Sequence, residues 1–403
     1  MKKFIYIILA SALFATSCEK ELPITYPDNE LPIHLGYMQF STGVSTRAQL
    51  ATDMKGKNFG VLGYKYSPTT NWASAKSITA PMNDFYNIDV ACAANGTCNY
   101  DAYPSDNDKS LKEWEENNYS FFAYSPYSGE GIEGIKGISL SSETTTNTPM
   151  LTYTYGWLNP DKSKDNWFIS PFSTMNQKGE VLKLDVVNLC DANAPVYDLM
   201  TAEAIDVNGT SDGTVNLDFK HRMFALEVLA NNYNENTEGK HDARQSISGL
   251  VLTLTGLQHS TMTIPMSMQS GETAPVYGGT APGTHSFLIS DPMMGSIDIP
   301  AFNETTEDGR GGGVATSISK LGGRDNNAGY LMLIPQTTGL SGQLNWTELS
   351  NFPGTISTNF TSNIEFKAGR LYQLYINFVG SGITIALIEA GAWDVKDVEH
   401  KFE

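Results

Sequence analysis

The segment TVNLDFKHRMFALEVLA, residues 214–230, decides the fold class. Its first part alternates: Val215, Leu217 and Phe219 are apolar, and the residues between them are polar. A period of two places every second side chain on the same face of a β-strand, so this pattern predicts a strand with one buried face. We interpret the whole of 214–230 as one long strand.

Segments of the same character lie on both sides of it. They are rich in β-branched and aromatic residues and are separated by clusters of Gly, Asn, Asp, Ser and Thr. The segments are 58–67, 118–127, 149–156, 179–189, 246–257, 261–268, 329–337, 363–380 and 382–393. The one helix that the sequence suggests is a short one over 110–116. The chain is therefore predicted to be all-β, built of sandwiches or barrels.

The length of 403 residues favours two domains. We place the boundary in the polar turn AIDVNGTSDGT, residues 204–214, so that the domains span 18–205 and 206–403. The formal net charge is −18, and no run of Lys and Arg of the kind that follows phosphates occurs. Nucleic acid is therefore not an expected partner.

The N-terminus, MKKFIYIILASALFATSCEK, has two lysines, a short apolar run and then Cys18. This pattern is typical of a bacterial lipoprotein signal peptide over 1–17, with Cys18 acylated as the new N-terminus. Acylation would attach the protein to the outer membrane through hydrocarbon chains. The alternative is an ordinary cleaved signal in which the cysteine occurs by chance.

Cys92 and Cys98 bracket the Gly-containing turn AANGT. In an exported protein this spacing is compatible with a disulfide, and two free thiols are the alternative. Zinc-site, serine-hydrolase and phosphate-loop motifs are missing from the sequence, so we expect no enzyme, no metal and no cofactor. His221 should face the same side as Phe219 and Met223, which favours a structural histidine at a core over a catalytic one.

Five later segments occur together in one order: DLMTA 198–202, FKHRMFALEVL 219–229, LIPQT 333–337, AGRLYQLYINF 368–378 and GITIALIEAGAW 382–393. With STRAQL and GKNFGVLGYKY near the start, this order resembles the fimbrillin-like (Mfa-like) surface lipoproteins of Bacteroidetes. The resemblance runs from Cys18 to Trp393. Its motif residues include Phe219, His221, Pro335, Gln336 and Trp393.

The resemblance implies two tandem transthyretin-like β-sandwiches and a stalk, tip, anchor or accessory subunit of a type V pilus, serving adhesion. In that family an arginine-specific protease removes the first strand, and a strand of another fimbrillin subunit refills the groove. Arg47, followed by Ala48, occupies the matching place, and the removable strand would lie within about 33–47. The alternative is that Arg47 is a solvated loop arginine.

The donor strand would have to come from about 383–393, because the tail beyond Trp393 is polar. If that strand belongs to the protein's own sheet, a tip, anchor or accessory role, or an adhesin that never polymerises, is implied. The competing function is a surface lipoprotein that binds glycans or other host ligands through exposed aromatic residues. Tryptophans clustered on one face would favour ligand capture, whereas an apolar groove beneath 33–42 would favour assembly.

Overall fold

The computed structural model describes residues 33–37, 54–82, 85–100, 111–127, 138–142, 148–154, 186–188, 199–209, 213–233, 245–269, 271–272, 274–279, 285–288, 297–299, 316–317, 330–349, 354–379 and 382–392. The protein is all-β, as predicted, with a single short helix among these residues.

The strands in chain order are β1 His34–Tyr37, β2 Asn58–Tyr66, β3 Ile88–Cys92, β4 Cys98–Tyr100, β5 Asn118–Ser125, β6 Ile138–Ser142, β7 Pro149–Thr154, β8 Val186–Asn188, β9 Met200–Val207, β10 Thr214–Leu217, β11 Lys220–His221 and β12 Phe224–Tyr233. They continue with β13 Gln245–Leu254, β14 Thr261–Pro265, β15 Val276–Gly278, β16 His285–Leu288, β17 Ile297–Ile299, β18 Thr316–Ser317, β19 Tyr330–Leu333, β20 Ser341–Glu348, β21 Gly354–Thr361, β22 Arg370–Val379 and β23 Gly382–Ala392. The helix is α1, Trp72–Ala75.

A six-stranded sheet in the order β11-β9-β5-β2-β3-β4 is buried on both faces at its centre. In β2, Phe59 and Val61 belong to one core, whereas Leu62 and Tyr64 belong to another. Successive side chains of a strand point to opposite faces, so a strand between two cores is apolar almost throughout. This position explains the nearly continuous apolar sequence of β2.

The first of these cores, called here the N-terminal core, lies between the six-stranded sheet and a two-stranded parallel sheet of β1 and β10. Its buried members are Ile33, Leu35, Met54, Phe59, Val61, Phe85, Val90, Cys92, Tyr100, Trp114, Tyr119, Phe121, Ala123, Met200, Ala202, Val215, Leu217 and Phe219. Burial of this apolar area is the main favourable contribution to folding in this region.

The second core lies largely between two further sheets. One has the order β18-β12-β22-β23 with β19 also paired to β12, and the other has the order β21-β20-β13-β16-β8 with β17 also paired to β13. Leu226 and Leu374 from the first sheet and Leu252 and Trp346 from the second belong to this core. Two sheets that enclose one apolar layer form a β-sandwich.

Strand pairing crosses the predicted domain boundary. β7 pairs with β14 in a four-stranded sheet, and β8 pairs with β16 in the sheet that also contains β13, β20 and β21. In the other direction, β10 pairs with β1 and β11 pairs with β9. The division into 18–205 and 206–403 therefore stays a prediction, and the pairing assigns 214–221 to the strands of the first part of the chain.

Two local predictions are wrong. Residues 214–230 form three strands instead of one, because the chain passes from the N-terminal core at Phe219 to the second core at Met223. These two side chains therefore do not share a face. The short helix expected over 110–116 is absent from its described part, 111–116. The helix forms instead at Trp72–Ala75, where the Asn71 side chain accepts a hydrogen bond from the Ser74 N–H and caps its start.

Candidate functional site

The strand β1 is short, yet it is inserted into the N-terminal core. Ile33, just before the strand, is 0% exposed, and Leu35 is 2% exposed, while the side chain of His34 between them is exposed. Two aliphatic side chains on alternate positions therefore point into the core. This is the strand character that the sequence predicts for the segment 33–42.

We call the surroundings of β1 the strand groove, which consists of β10, β4 and residues 111–114. On one edge β1 runs parallel to β10, with His34 opposite Thr214 and Leu35 opposite Val215. On the other edge the Ile33 N–H donates a hydrogen bond of 2.6 Å to the Lys112 carbonyl oxygen. The segment of β1 thus has backbone hydrogen-bond partners on both sides. It is therefore not an edge strand with a row of unpaired N–H and C=O groups.

Gly213 is a shared acceptor at the beginning of β10. Its carbonyl oxygen accepts a hydrogen bond from the His34 N–H at 2.8 Å and one from the Trp114 Nε1–H at 3.1 Å. The Trp114 ring packs edge-on against Tyr119 at 5.0 Å. The groove is thus bonded to β1 through two distant parts of the sequence, at Lys112 and at Gly213 with β10.

The hairpin of β3 and β4 contributes β4 to the strand groove and contains the disulfide Cys92–Cys98. The two cysteines are directly opposite each other in the antiparallel register. The turn between them closes with a hydrogen bond from the Gly96 N–H to the Ala93 carbonyl oxygen, and Gly96 has φ of 93°, which favours glycine. Of the two alternatives that the sequence leaves open, the structure has the bridge.

Four other predicted site residues, Cys18, Arg47, Ala48 and Trp393, lie outside the described residues. Lipidation and proteolytic processing therefore stay predictions. Their positions in the sequence still matter for the groove, because β1 lies between Cys18 and Arg47 in the chain. A cut after Arg47 would separate β1 from the rest of the chain.

His221 is half-buried in the short strand β11, where it lies opposite Met200. The next residue, Arg222, donates from Nε to the Thr201 Oγ1 at 2.6 Å. Burial lowers the pKa of the Arg222 guanidinium, and the charge of Glu203 opposes this effect. A half-buried place at the end of a sheet suits a structural histidine, and the role of His221 stays a prediction.

Gln336 connects two loops and a neighbouring strand-like segment. Its Nε2 donates to the Gly256 and Thr338 carbonyl oxygens, both at 2.9 Å, and its Oε1 accepts from the Gln258 N–H at 3.3 Å. Its backbone pairs with Phe366 in both directions. Pro335 beside it is buried. The sequence indicated a motif here, but only the structure shows that an amide side chain satisfies three backbone groups.

We expect Gln336→Ala to lower the free energy of unfolding by about 2–3 kcal/mol, because buried backbone groups lose their partners. Urea denaturation of both proteins measures the difference. Gln343→Ala is the matched control, since the Gln343 amide bonds the side chains of Asn359 and Asn345, both at 3.0 Å, instead of buried backbone groups. The control should change stability by less than about 0.5 kcal/mol. Equal effects of the two substitutions would contradict this assignment.

The tryptophans within the described residues give no platform for ligand capture. Trp72, Trp114 and Trp346 are all buried, at 1%, 6% and 1% exposure. In the same residues no group of three or more His, Cys, Asp or Glu side chains could hold a metal ion. No helix within the described ranges is both long and apolar enough to cross a membrane.

Sequence reasoning missed the second edge of the strand groove, formed by Tyr100 and Lys112, and the acceptor Gly213 on the edge of β10. Lys112 lies in the segment that was expected to be helical, where its carbonyl oxygen would have bonded within the helix. Tyr100 carries one signal, because it follows Cys98 at the spacing that places both side chains on one face of a strand. Gly213 stands in a polar turn that showed no sign of a binding role.

A family model described as fimbrillin-like matches residues 46–393 of the chain. A solved fimbrial protein of Bacteroides vulgatus is similar in structure, with a TM-score of 0.51, 16% sequence identity and coverage of 90% of this chain and 99% of that one. A candidate cell adhesion protein of Bacteroides ovatus aligns with a TM-score of 0.47, 16% identity and coverage of 91% and 98%. Comparison with curated proteins finds no match.

Proposed function

The chain belongs to the fimbrillin-like family, and on that premise we propose that it is a structural subunit of a cell-surface pilus assembled by strand exchange. Cys18 would anchor the exported precursor to the outer membrane. An arginine-specific protease would then cut after Arg47 and free β1. A strand of another subunit would take its place in the strand groove.

The observation that carries this proposal is the position of β1. It precedes Arg47 in the chain, it buries Leu35 together with the adjoining Ile33, and the segment is hydrogen-bonded on both edges. Its departure would leave Val215 and Leu217 of β10 facing an open groove. Exposing apolar side chains costs about 1.5–3 kcal/mol each, and unpaired buried backbone groups cost about 1–3 kcal/mol each. A second extended strand would remove both penalties at once.

The proposed donor segment, about 383–393, overlaps β23. This strand pairs antiparallel with β22 along its length, from Gly382 opposite Val379 to Ala392 opposite Arg370. Ile383, Ile385 and Leu387 pack partly against the second core. A subunit that donates β23 must first give up these contacts. We therefore propose a tip, anchor or accessory position, where a subunit accepts a strand without having to supply one.

The test measures whether cleavage opens the groove. Purified precursor is treated with an arginine-specific protease, Ala48 is verified as the new N-terminus, and a fluorescent peptide of residues 30–42 is added. Only cleaved protein should take up the peptide. In uncleaved protein the tethered β1 competes with the peptide for the groove at an effective concentration of about 1 mM. Non-denaturing gels then separate a strand-accepting monomer from the ladder of a polymerising stalk subunit.

Arg47→Ala is the control for the protease, since it should remain uncut at this site and should not bind the peptide. A peptide carrying Leu35→Asp controls for side-chain specificity. The proposal fails if cleaved protein does not take up the unmodified peptide. It also fails if the uncut Arg47→Ala variant takes up the peptide equally well.

A further inference from the structure

The two edges of the strand groove hold β1 with different chemical groups. Along β10 the partners are backbone atoms in a parallel ladder. Along the opposite edge the described partners are the Lys112 carbonyl oxygen and a side chain, the Tyr100 hydroxyl. A side chain can be changed without altering the backbone, so this edge can be tested by substitution.

The Tyr100 hydroxyl joins β1 to the segment that follows β4. It donates a hydrogen bond of 2.8 Å to the Ile33 carbonyl oxygen and accepts one of 3.3 Å from the Lys112 N–H. The Lys112 carbonyl oxygen in turn accepts from the Ile33 N–H. Ile33 thus has both backbone groups bonded on this edge. Because Tyr100 is 7% exposed, water competes poorly for its hydroxyl.

Tyr100 is positioned by the hairpin, independently of β1. It is the last residue of β4 and lies opposite Val90 of β3. The disulfide Cys92–Cys98 joins the same two strands two residues earlier, on the same face as Tyr100. Its ring also contacts Phe85 with the centroids 5.4 Å apart. A crosslinked hairpin and a packed ring leave the hydroxyl little freedom to move when β1 departs.

We propose that Tyr100 is the positioning residue of the strand groove, which fixes the register of any strand that occupies it. The hydroxyl meets a backbone carbonyl at the level of Ile33 and so selects one alignment of the occupant. On the basis of the proposed function, the same contact applies to the incoming strand of another subunit.

The occupant must then meet three requirements. It needs aliphatic side chains at two alternate positions, to replace Ile33 and Leu35 in the N-terminal core. It needs free N–H groups at the positions of Ile33 and His34, because the Lys112 and Gly213 carbonyl oxygens accept from them. Proline has no N–H, so proline at either position is excluded. The ligand class is an extended peptide of the form aliphatic-X-aliphatic without proline.

The test is amide hydrogen exchange in the uncleaved precursor. In Tyr100→Phe the ring is kept and the hydroxyl is lost, so the Ile33 and His34 amides should exchange about three to ten times faster, as expected for one net hydrogen bond. Amides of β5 should keep their exchange rates. The cleaved variant should also bind the peptide of residues 30–42 about three to ten times more weakly.

Tyr119→Phe is the matched control. Tyr119 is buried in the same core at 1% exposure, and its hydroxyl accepts a hydrogen bond from the Glu115 N–H at 3.2 Å. It should lower the melting temperature as Tyr100→Phe does, without faster exchange at Ile33 and His34. The proposal is overturned if Tyr100→Phe leaves those two amides unchanged or if Tyr119→Phe accelerates them equally. Exchange in the precursor requires no cleavage, so failure of assembly would leave this result standing.

Discussion

Replacing Leu35 by aspartate is expected to expel β1 from the strand groove in the uncleaved protein. Leu35 is 2% exposed in the N-terminal core, and the described buried members of that core include no Lys, Arg or His side chain that could pair with a carboxylate. Burying an unpaired charge is far more unfavourable than losing a methylene group. The state in which β1 has left the groove is therefore lower in free energy than the state in which the aspartate is buried. The free energy of unfolding should fall by about 3–5 kcal/mol, in the range of large core substitutions.

Urea denaturation and protease sensitivity of 33–37 measure this effect. The control is His34→Asp, which introduces the same charge one residue earlier on an exposed side chain. This variant should stay within about 0.5 kcal/mol of the unmodified protein. If Leu35→Asp keeps β1 protected, the strand is not held by its side chains. The proposed groove would then be refuted.

Cys18→Ala is expected to transfer the protein almost completely from the membrane fraction to the soluble fraction. Cys18 is the one lipidation candidate that the sequence offers, and attached acyl chains each contribute about 0.8 kcal/mol per buried methylene group. Removing the thiol removes the site at which acyl chains would be attached. Because several chains act together, the expected effect on membrane binding is close to all-or-none.

Fractionation of cells that express each variant, followed by mass spectrometry of the N-terminal peptide, measures the transfer. Ser17→Ala is the control, because it changes the neighbouring residue and keeps Cys18. It should remain in the membrane fraction with an acylated cysteine. Membrane retention of Cys18→Ala at the level of the control would disprove the lipoprotein assignment.

Much of the fold could be predicted because strand patterns are local. The predicted segments 58–67, 118–127 and 382–393 correspond to β2, β5 and β23 almost to the residue. Each has β-branched or aromatic residues over its length and turn residues at its ends. The resemblance to fimbrillins added the family, which the match over residues 46–393 shows.

The arrangement of the strands could not be predicted from these patterns. The period of two in 214–219 predicts that one face of this segment is buried. It does not predict that the chain passes from the N-terminal core at Phe219 to the second core at Met223. The pairing of β7 with β14 joins segments that lie more than a hundred positions apart in the sequence. Local periodicity carries no information on such partners. For the same reason the contact of Tyr100 with Ile33 could not be predicted from the sequence.

The parallel pairing of β1 with β10 has a consequence for the order of folding. The ladder partners of β1 on one edge lie at positions 214–217, so this edge cannot form until a segment that is synthesised much later is available. Contacts between residues far apart in the sequence require closure of a long loop and tend to form late. We therefore expect β1 to be the last strand to join the N-terminal core. A strand that joins last can leave through the reverse step while the remaining sheets keep their pairing.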